Sequence, residues 1–122
     1  MRHERVVIAS DGAGAVADAY TRTFSGLLRG IYLDLGTLAS GAVDFVITEE
    51  ETGAAILSIT NAAASGWYVP EAPVYGTGGS AALYAAGGSA VTRPVPVDGR
   101  LKIVTTGAGN SKSGALTIYV GG

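Results

Sequence analysis

Residues 43–60, VDFVITEEETGAAILSIT, constrain the fold more than any other part of this chain. Side chains alternate along both arms of the segment, which places Phe45 on an apolar face of the first arm and Ile59 on one of the second. Between the arms lies an acidic stretch that ends at Gly53, a residue type that readily adopts positive φ angles. β-Branched arms with a period of two residues around a polar, glycine-containing turn predict a β-hairpin.

Most other apolar segments of the chain have the same period. Residues 25–36 alternate as a long strand, and near the C-terminus Leu116, Ile118 and Val120 take one face while Thr117 and Tyr119 take the other. Turn residues recur every 8–12 residues or so, which is typical of sandwiches. This pattern predicts an all-β fold, an antiparallel β-sandwich or jelly-roll-like arrangement of about eight short strands.

Turn-forming dipeptides and prolines predict where the strands begin and end. Residues 16–24 are predicted to form a strand, and residues 90–97 an edge strand that a hairpin turn at Asp98-Gly99 joins to residues 100–105. Residues 61–89 form a long irregular excursion, because Pro70 and Pro73 exclude a central strand and a glycine-rich stretch follows.

The chain is long enough for one domain. Its 122 residues are expected to divide into residues 26–122, the sandwich, and residues 1–25, which are either an N-terminal arm or the first strands.

Composition narrows the classes of partner. Charged residues make up 15% of the chain and hydrophobic residues 48%, whereas globular domains average about 25% charged residues. A chain so poor in charge either buries much of its surface against partners or has an uncharged exterior of Gly, Ala, Ser and Thr. The net charge of −2 and the dispersed basic residues disfavour nucleic acid. No apolar run approaches the roughly 20 residues of a membrane helix, and the N-terminus lacks an export signal, so we expect a protein that is made and used without export and has no membrane partner.

No set of residues indicates catalysis or a cofactor. The chain has one histidine, His3, and no cysteine, so a serine nucleophile has no evident base and thiolate metal sites are excluded. Consecutive carboxylates at Glu49, Glu50 and Glu51 are typical of a solvated turn, because neighbouring strand residues point in different directions. We therefore expect a protein that is not an enzyme and binds no cofactor or metal.

Four aromatic residues are the strongest candidates for a binding site. Trp67, Tyr68, Tyr75 and Tyr84 lie close together in the excursion. Such a group can anchor a protein partner or stack against sugars, so a glycan is a possible ligand. The alternative is that Trp67 closes one end of the sandwich.

Six segments carry a wider resemblance: residues 30–34, 43–48, 51–57, 67–70, 94–100 and 116–120. Over about residues 26–122, their order resembles the small β-rich virion proteins of tailed double-stranded DNA bacteriophages. The resemblance implies a capsid decoration (cement) protein, which binds the major capsid protein on the capsid surface, often as a homotrimer. The same pattern suits a neck or tail-adaptor ring protein, and a glycan-binding β-sandwich module is the third alternative.

Overall fold

A computed structural model describes residues 2–73 and 92–121 of the chain. In that part the protein is all-β, with eleven strands and no helix, which confirms the predicted fold class. The strands are β1 (Arg2–Ala9), β2 (Ala19–Tyr20), β3 (Phe24–Asp34), β4 (Val43–Glu49), β5 (Ala55–Ala62), β6 (Gly66–Tyr68), β7 (Glu71–Pro73), β8 (Thr92–Pro94), β9 (Pro96–Gly99), β10 (Leu101–Thr106) and β11 (Ser113–Gly121).

The larger sheet has five strands, in the order β1-β11-β3-β6, with β9 also paired to β3. Strand β3 is 11 residues long, so two short strands share one of its edges. Strand β9 pairs with its first half, at residues 24–27, and β6 with its second half, at residues 31–33. The length of β3 therefore allows β9 and β6 to pair one after the other along the same edge.

The smaller sheet has four strands, in the order β2-β10-β4-β5. Its strands β4 and β5 are the predicted hairpin, in which Phe45 lies opposite Ile59 and Ile47 opposite Leu57. The turn between them uses Gly53 at a φ of 73°, in the left-handed region that glycine tolerates best. The hairpin prediction is confirmed.

Side chains from the inner faces of both sheets form one hydrophobic core. In β11, Leu116, Ile118 and Val120 are buried, whereas Thr117 and Tyr119 between them are partly exposed. The largest buried side chains include Phe24, Leu28, Ile31 and Leu33 from the larger sheet and Phe45, Ile47, Leu101 and Ile103 from the smaller one. Each such side chain contributes about 1.5–3 kcal/mol through its removal from water.

Residues 2–9 of the N-terminal segment form β1, an edge strand of the larger sheet. Strand β1 pairs with β11 along its whole length, and Val6 and Ile8 reach the core. The predicted strand at residues 16–24 is wrong in extent, because Ala19 and Tyr20 pair with β10 as the short strand β2, whereas Phe24 already belongs to β3. Next to β2, the N–H of Thr21 donates to the Leu101 carbonyl, and the Thr21 hydroxyl oxygen accepts from the Leu101 N–H. The chain leaves the smaller sheet at this point.

The predicted hairpin turn at Asp98-Gly99 is also wrong. Both residues belong to β9, which pairs with β3 in the larger sheet, whereas β10 lies in the smaller one. The chain crosses between sheets here, with Val97 and Leu101 buried on either side. Gly99, at a φ of 142°, provides the backbone conformation that this corner requires.

The excursion predicted for residues 61–89 is more regular than expected over its described part. Strand β5 continues through Ala62, β6 joins the edge of the larger sheet, and β7 pairs with β8 as a separate two-stranded ribbon. The prolines have the expected effect, since the strands that contain them are short. The rest of the excursion, from residue 74, lies outside the described residues.

The loop after β1 is built around one carboxylate. Backbone N–H groups of Ala15 and Ala13 both donate to Oδ1 of Asp11, each at 2.9 Å. These bonds favour the ionised form, and they lower the pKa of Asp11 below its ordinary value of 3.8. The Asp11 carbonyl also accepts from the N–H of Ser111, which ties this loop to the one before β11.

Phe45→Ala should destabilise the fold strongly, because Phe45 is fully buried in the hairpin that supplies the core of the smaller sheet. We expect a loss of about 3–5 kcal/mol in the free energy of unfolding, measured by urea denaturation. The control is Val46→Ala, one residue along on the exposed face, for which we expect about 1 kcal/mol or less. Equal losses in the two variants would show that the hairpin is not part of the core.

The Asp11 loop should make stability depend on acid pH. Because the pKa is depressed in the folded state, the contribution is present above the unfolded pKa and is lost as the pH falls through the folded value. Asp11→Asn should therefore lose less stability than the wild type between pH 5 and pH 2, roughly the range over which carboxylates titrate. Urea denaturation across this range measures it, with Asp98→Asn as an exposed control. An Asp11→Asn profile parallel to the wild type would contradict the expectation.

Candidate functional site

The aromatic pair at the start of the excursion is divided between two environments. Trp67 and Tyr68 are neighbours in β6, so their side chains point to opposite faces of the larger sheet. Tyr68 packs against the core, whereas Trp67 is 61% exposed on the outer face. Trp67 therefore does not close the end of the sandwich. Tyr75 and Tyr84 lie outside the described residues.

Trp67 belongs to an aromatic cluster that crosses four neighbouring strands. Its ring centroid lies 5.0 Å from that of Tyr32 on β3, in a T-shaped arrangement, and 5.3 Å from that of Tyr119 on β11. The Tyr119 ring in turn lies 5.5 Å from His3 on β1. We call these four side chains, His3, Tyr32, Trp67 and Tyr119, the aromatic platform.

The strand register explains how residues so far apart in sequence meet. Tyr32 lies opposite Trp67 across the β3–β6 pair, and His3 lies opposite Tyr119 across the β1–β11 pair. Directly opposed residues on one face of an antiparallel pair have Cβ atoms about 4.5–5.5 Å apart, within reach of aromatic contact. The platform therefore follows from pairing as well as from composition.

Gly30 gives the indole its position on the sheet. It lies opposite Tyr119 in the β3–β11 pair, and a Cβ built at Gly30 would contact Cε3 and Cζ3 of Trp67 at 3.7 Å. Since glycine has no side chain, the indole lies close over the backbone of β3, between the two tyrosines. This packing holds Trp67 in place while much of its surface stays in water.

A charged pair borders the platform. Arg5 on β1 and Asp34 on β3 project on the same outer face, with Nη2 and Oδ2 3.7 Å apart and both side chains more than half exposed. Val7 on β1 and Val69, the residue after β6, are 59% and 61% exposed and add to the apolar surface of these two strands. The outer face of the larger sheet thus has an apolar, aromatic centre with an ion pair at its margin, which is the usual composition of a contact surface.

A second feature, an open groove of about 330 Å³, lies where the hairpin turn meets the corner between the sheets. Its lining is Thr23, Glu50, Glu51, Asp98, Gly99 and Arg100. Nη2 of Arg100 pairs with Oε2 of Glu50 at 2.7 Å, and this hydrogen bond raises the pKa of Arg100. The Arg100 guanidinium also lies over the Tyr20 ring, 4.3 Å from its centroid. The charged groups of the groove thus interact with other side chains of the same chain, at the protein surface.

The described residues contain neither a candidate metal cluster nor a candidate membrane-spanning helix. Residues 2–73 and 92–121 contain no cluster of three or more histidine, aspartate or glutamate residues arranged to hold a metal ion. In the same residues, no helix is long and apolar enough to cross a membrane. We take the aromatic platform as the candidate site because it combines an exposed tryptophan with two adjacent tyrosine rings.

No protein-family model, curated protein or solved structure matches this chain at a significant level. The assignment of the site consequently depends on its own geometry and on the sequence resemblance.

Trp67 is the one tryptophan of the chain, so its fluorescence reports on the platform alone. With 61% of its surface exposed, we expect an emission maximum close to that of the unfolded protein, and strong quenching by acrylamide. Tyr119→Ala should increase the quenching further, because it removes one of the two rings beside the indole. A blue-shifted emission that acrylamide does not quench at low protein concentration would contradict this placement.

Proposed function

We propose that this chain is a structural virion protein, a capsid decoration (cement) protein that binds the major capsid protein through the aromatic platform. The observation that carries the proposal is the exposure of Trp67, held between Tyr32 and Tyr119 on an otherwise weakly charged protein. The sequence resemblance supplies the class of partner. In this role the protein acts on the capsid surface after synthesis in the host cytoplasm.

The platform has the physical properties of an interface anchor. Tryptophan and tyrosine are enriched among the residues that dominate binding energy, because they bury a large area with few rotatable bonds. Contacts with the two tyrosines and with Gly30 already restrict the Trp67 ring. Less side-chain entropy is therefore lost on binding.

The arrangement of charges supports contact with protein over nucleic acid. Three ion pairs, Arg5–Asp34, Arg100–Glu50 and Lys102–Asp18, lie within the part of the chain that the structure describes. Two of them involve groove and smaller-sheet residues, away from the platform. Three of the eight Lys and Arg side chains thus already have carboxylate partners, and dispersed cations on a chain of net charge −2 offer little to a phosphate backbone, which requires clustered Lys and Arg.

The test is binding to purified capsids that lack decoration protein. Trp67→Ala should weaken binding about thirtyfold or more, which corresponds to the roughly 2 kcal/mol that defines an interface hot spot. The matched control is Val46→Ala, an exposed apolar residue on the outer face of the smaller sheet, which should bind like the wild type. Equal binding by wild type and Trp67→Ala would rule out the platform as the capsid contact.

A glycan is the second candidate ligand, and the seating of Trp67 over Gly30 favours it. An indole that lies over the sheet leaves ring surface available for the C–H groups of a sugar, and the Arg5–Asp34 pair provides donors and acceptors for its hydroxyls. Glycan-array binding that Trp67→Ala abolishes, together with unchanged capsid binding, would favour this function.

Assembly on the virion distinguishes the remaining alternatives. The resemblance implies a homotrimer at three-fold positions of the capsid, whereas a neck or tail-adaptor protein would form a larger ring. Electron microscopy of decorated particles would show either copies distributed over the shell or a single ring at one vertex. Only the first result agrees with a decoration protein.

A further inference from the structure

Arg29 occupies an irregular position on β3, next to the aromatic platform. The β3–β11 register pairs Gly30 with Tyr119 and Leu28 with Val120, and it shifts between these two pairs. Arg29 is therefore the extra residue of a β-bulge. A bulge redirects a side chain relative to regular strand alternation, and the neighbours of Arg29 show where its side chain goes.

The Arg29 side chain lies over Gly121. A Cβ built at Gly121 would lie 3.2 Å from both Cγ and Nε of Arg29. Since Gly121 is two residues after Tyr119 on β11, that Cβ would be on the same outer face, about 7 Å further along the strand. Because glycine has no side chain, Arg29 can reach from β3 onto β11 beside the platform. A glycine thus positions this arginine, as Gly30 positions the indole.

Arg29 has no carboxylate partner in the described part of the chain. Its side chain is exposed, and none of the three ion pairs found there includes it. At the opposite margin of the platform, Arg5 already pairs with Asp34. Asp98 is on β9, which pairs with the edge of β3 that faces away from β11. The platform therefore has a neutral ion pair at one margin and a cation at the other.

A partner that covers the platform also removes water from Arg29. A cation that loses water without a compensating partner weakens binding, whereas a carboxylate accepts two parallel hydrogen bonds from the planar guanidinium. The complementary surface therefore combines an apolar group over Trp67 with an anionic group at Arg29. A protein provides this combination where Asp or Glu lies next to an apolar side chain.

We propose that the segment of the capsid protein that covers the platform is acidic, and that it places the carboxylate of an Asp or Glu on Arg29 and an apolar side chain on Trp67. This inference depends on the proposed function and adds the chemistry of the partner segment, which Arg29 selects. A nucleic acid fits the same place poorly, because a phosphate backbone requires several clustered cations. A neutral glycan provides no charge for the guanidinium.

Binding to purified capsids that lack decoration protein, measured at two salt concentrations, tests the proposal. Arg29→Gln should weaken binding about tenfold at about 0.1 M salt, where the Debye length is about 10 Å, and much less at about 1 M, where it is about 3 Å. Arg29→Lys should lose less, because it keeps the charge without the planar fork. Arg29→Glu should lose more than Arg29→Gln, since it sets two anions against each other.

The matched control is Lys112→Gln. It makes the same change in net charge at an exposed residue seven positions before Tyr119, about 23 Å away along an extended strand. We expect it to bind like the wild type at both salt concentrations. A second test modifies the capsid: amidation of its exposed carboxylates with a carbodiimide and ethanolamine should weaken binding of the wild type strongly and of Arg29→Gln little, because the ion pair is already absent in that variant.

Three results would each overturn the proposal: Arg29→Gln binds like Lys112→Gln, its loss is the same at both salt concentrations, or amidation weakens the wild type and Arg29→Gln by the same factor. Binding to neutral sugars that Trp67→Ala abolishes and Arg29→Gln leaves unchanged would also overturn it. The two proposals fail separately. Weak capsid binding by Trp67→Ala with no effect of Arg29→Gln removes only the acidic segment, whereas wild-type binding by Trp67→Ala removes the platform as the capsid contact.

Discussion

The pairing of β3 with β11 is the interaction on which the rest of the structure depends. Each strand supplies buried side chains to the core on one face, and the outer face of the same pair carries Tyr32, Gly30 and Tyr119. The register therefore has two simultaneous consequences. It sets Ile31 against Ile118 inside, and it brings Gly30 beside Tyr119 outside. A slip of one residue would exchange the inner and outer faces of a strand. The burial of apolar side chains that fixes the register of the core therefore also fixes the positions of the platform residues.

Much of the fold could be predicted because it depends on local alternation. The β4–β5 hairpin and the long strand β3 have a period of two over enough residues to be recognised, and β11 shows its inner and outer faces directly. The shortest strands, such as β2 and β6, have too few residues to show a period. The Asp98-Gly99 dipeptide predicts a hairpin turn, but glycine also suits a corner between two sheets, and the dipeptide alone does not distinguish the two. The sheet that each strand joins depends on contacts with residues far away in the sequence, which a local pattern does not show.

The candidate site was predictable only in part for the same reason. Trp67 and Tyr68 stand out by composition, but alternation alone does not tell which of them faces inward. Tyr32 and Tyr119 could be assigned to the outer faces of their strands, yet nothing local indicates that they flank Trp67. That contact requires the order β11-β3-β6, which joins segments from the first third, the middle and the end of the chain.

The ribbon of β7 and β8 has a consequence for how the chain can vary. Pro73 lies opposite Thr92 in this ribbon, so the two ends of the segment between them are held side by side. Changing the length of a segment whose ends are already adjacent alters the loop-closure entropy only slowly, by about 0.6 kcal/mol for each doubling. Insertions or replacements there leave the register of the two sheets unchanged. A chain with this fold can therefore carry segments of different length and sequence at this position without a change in its two sheets.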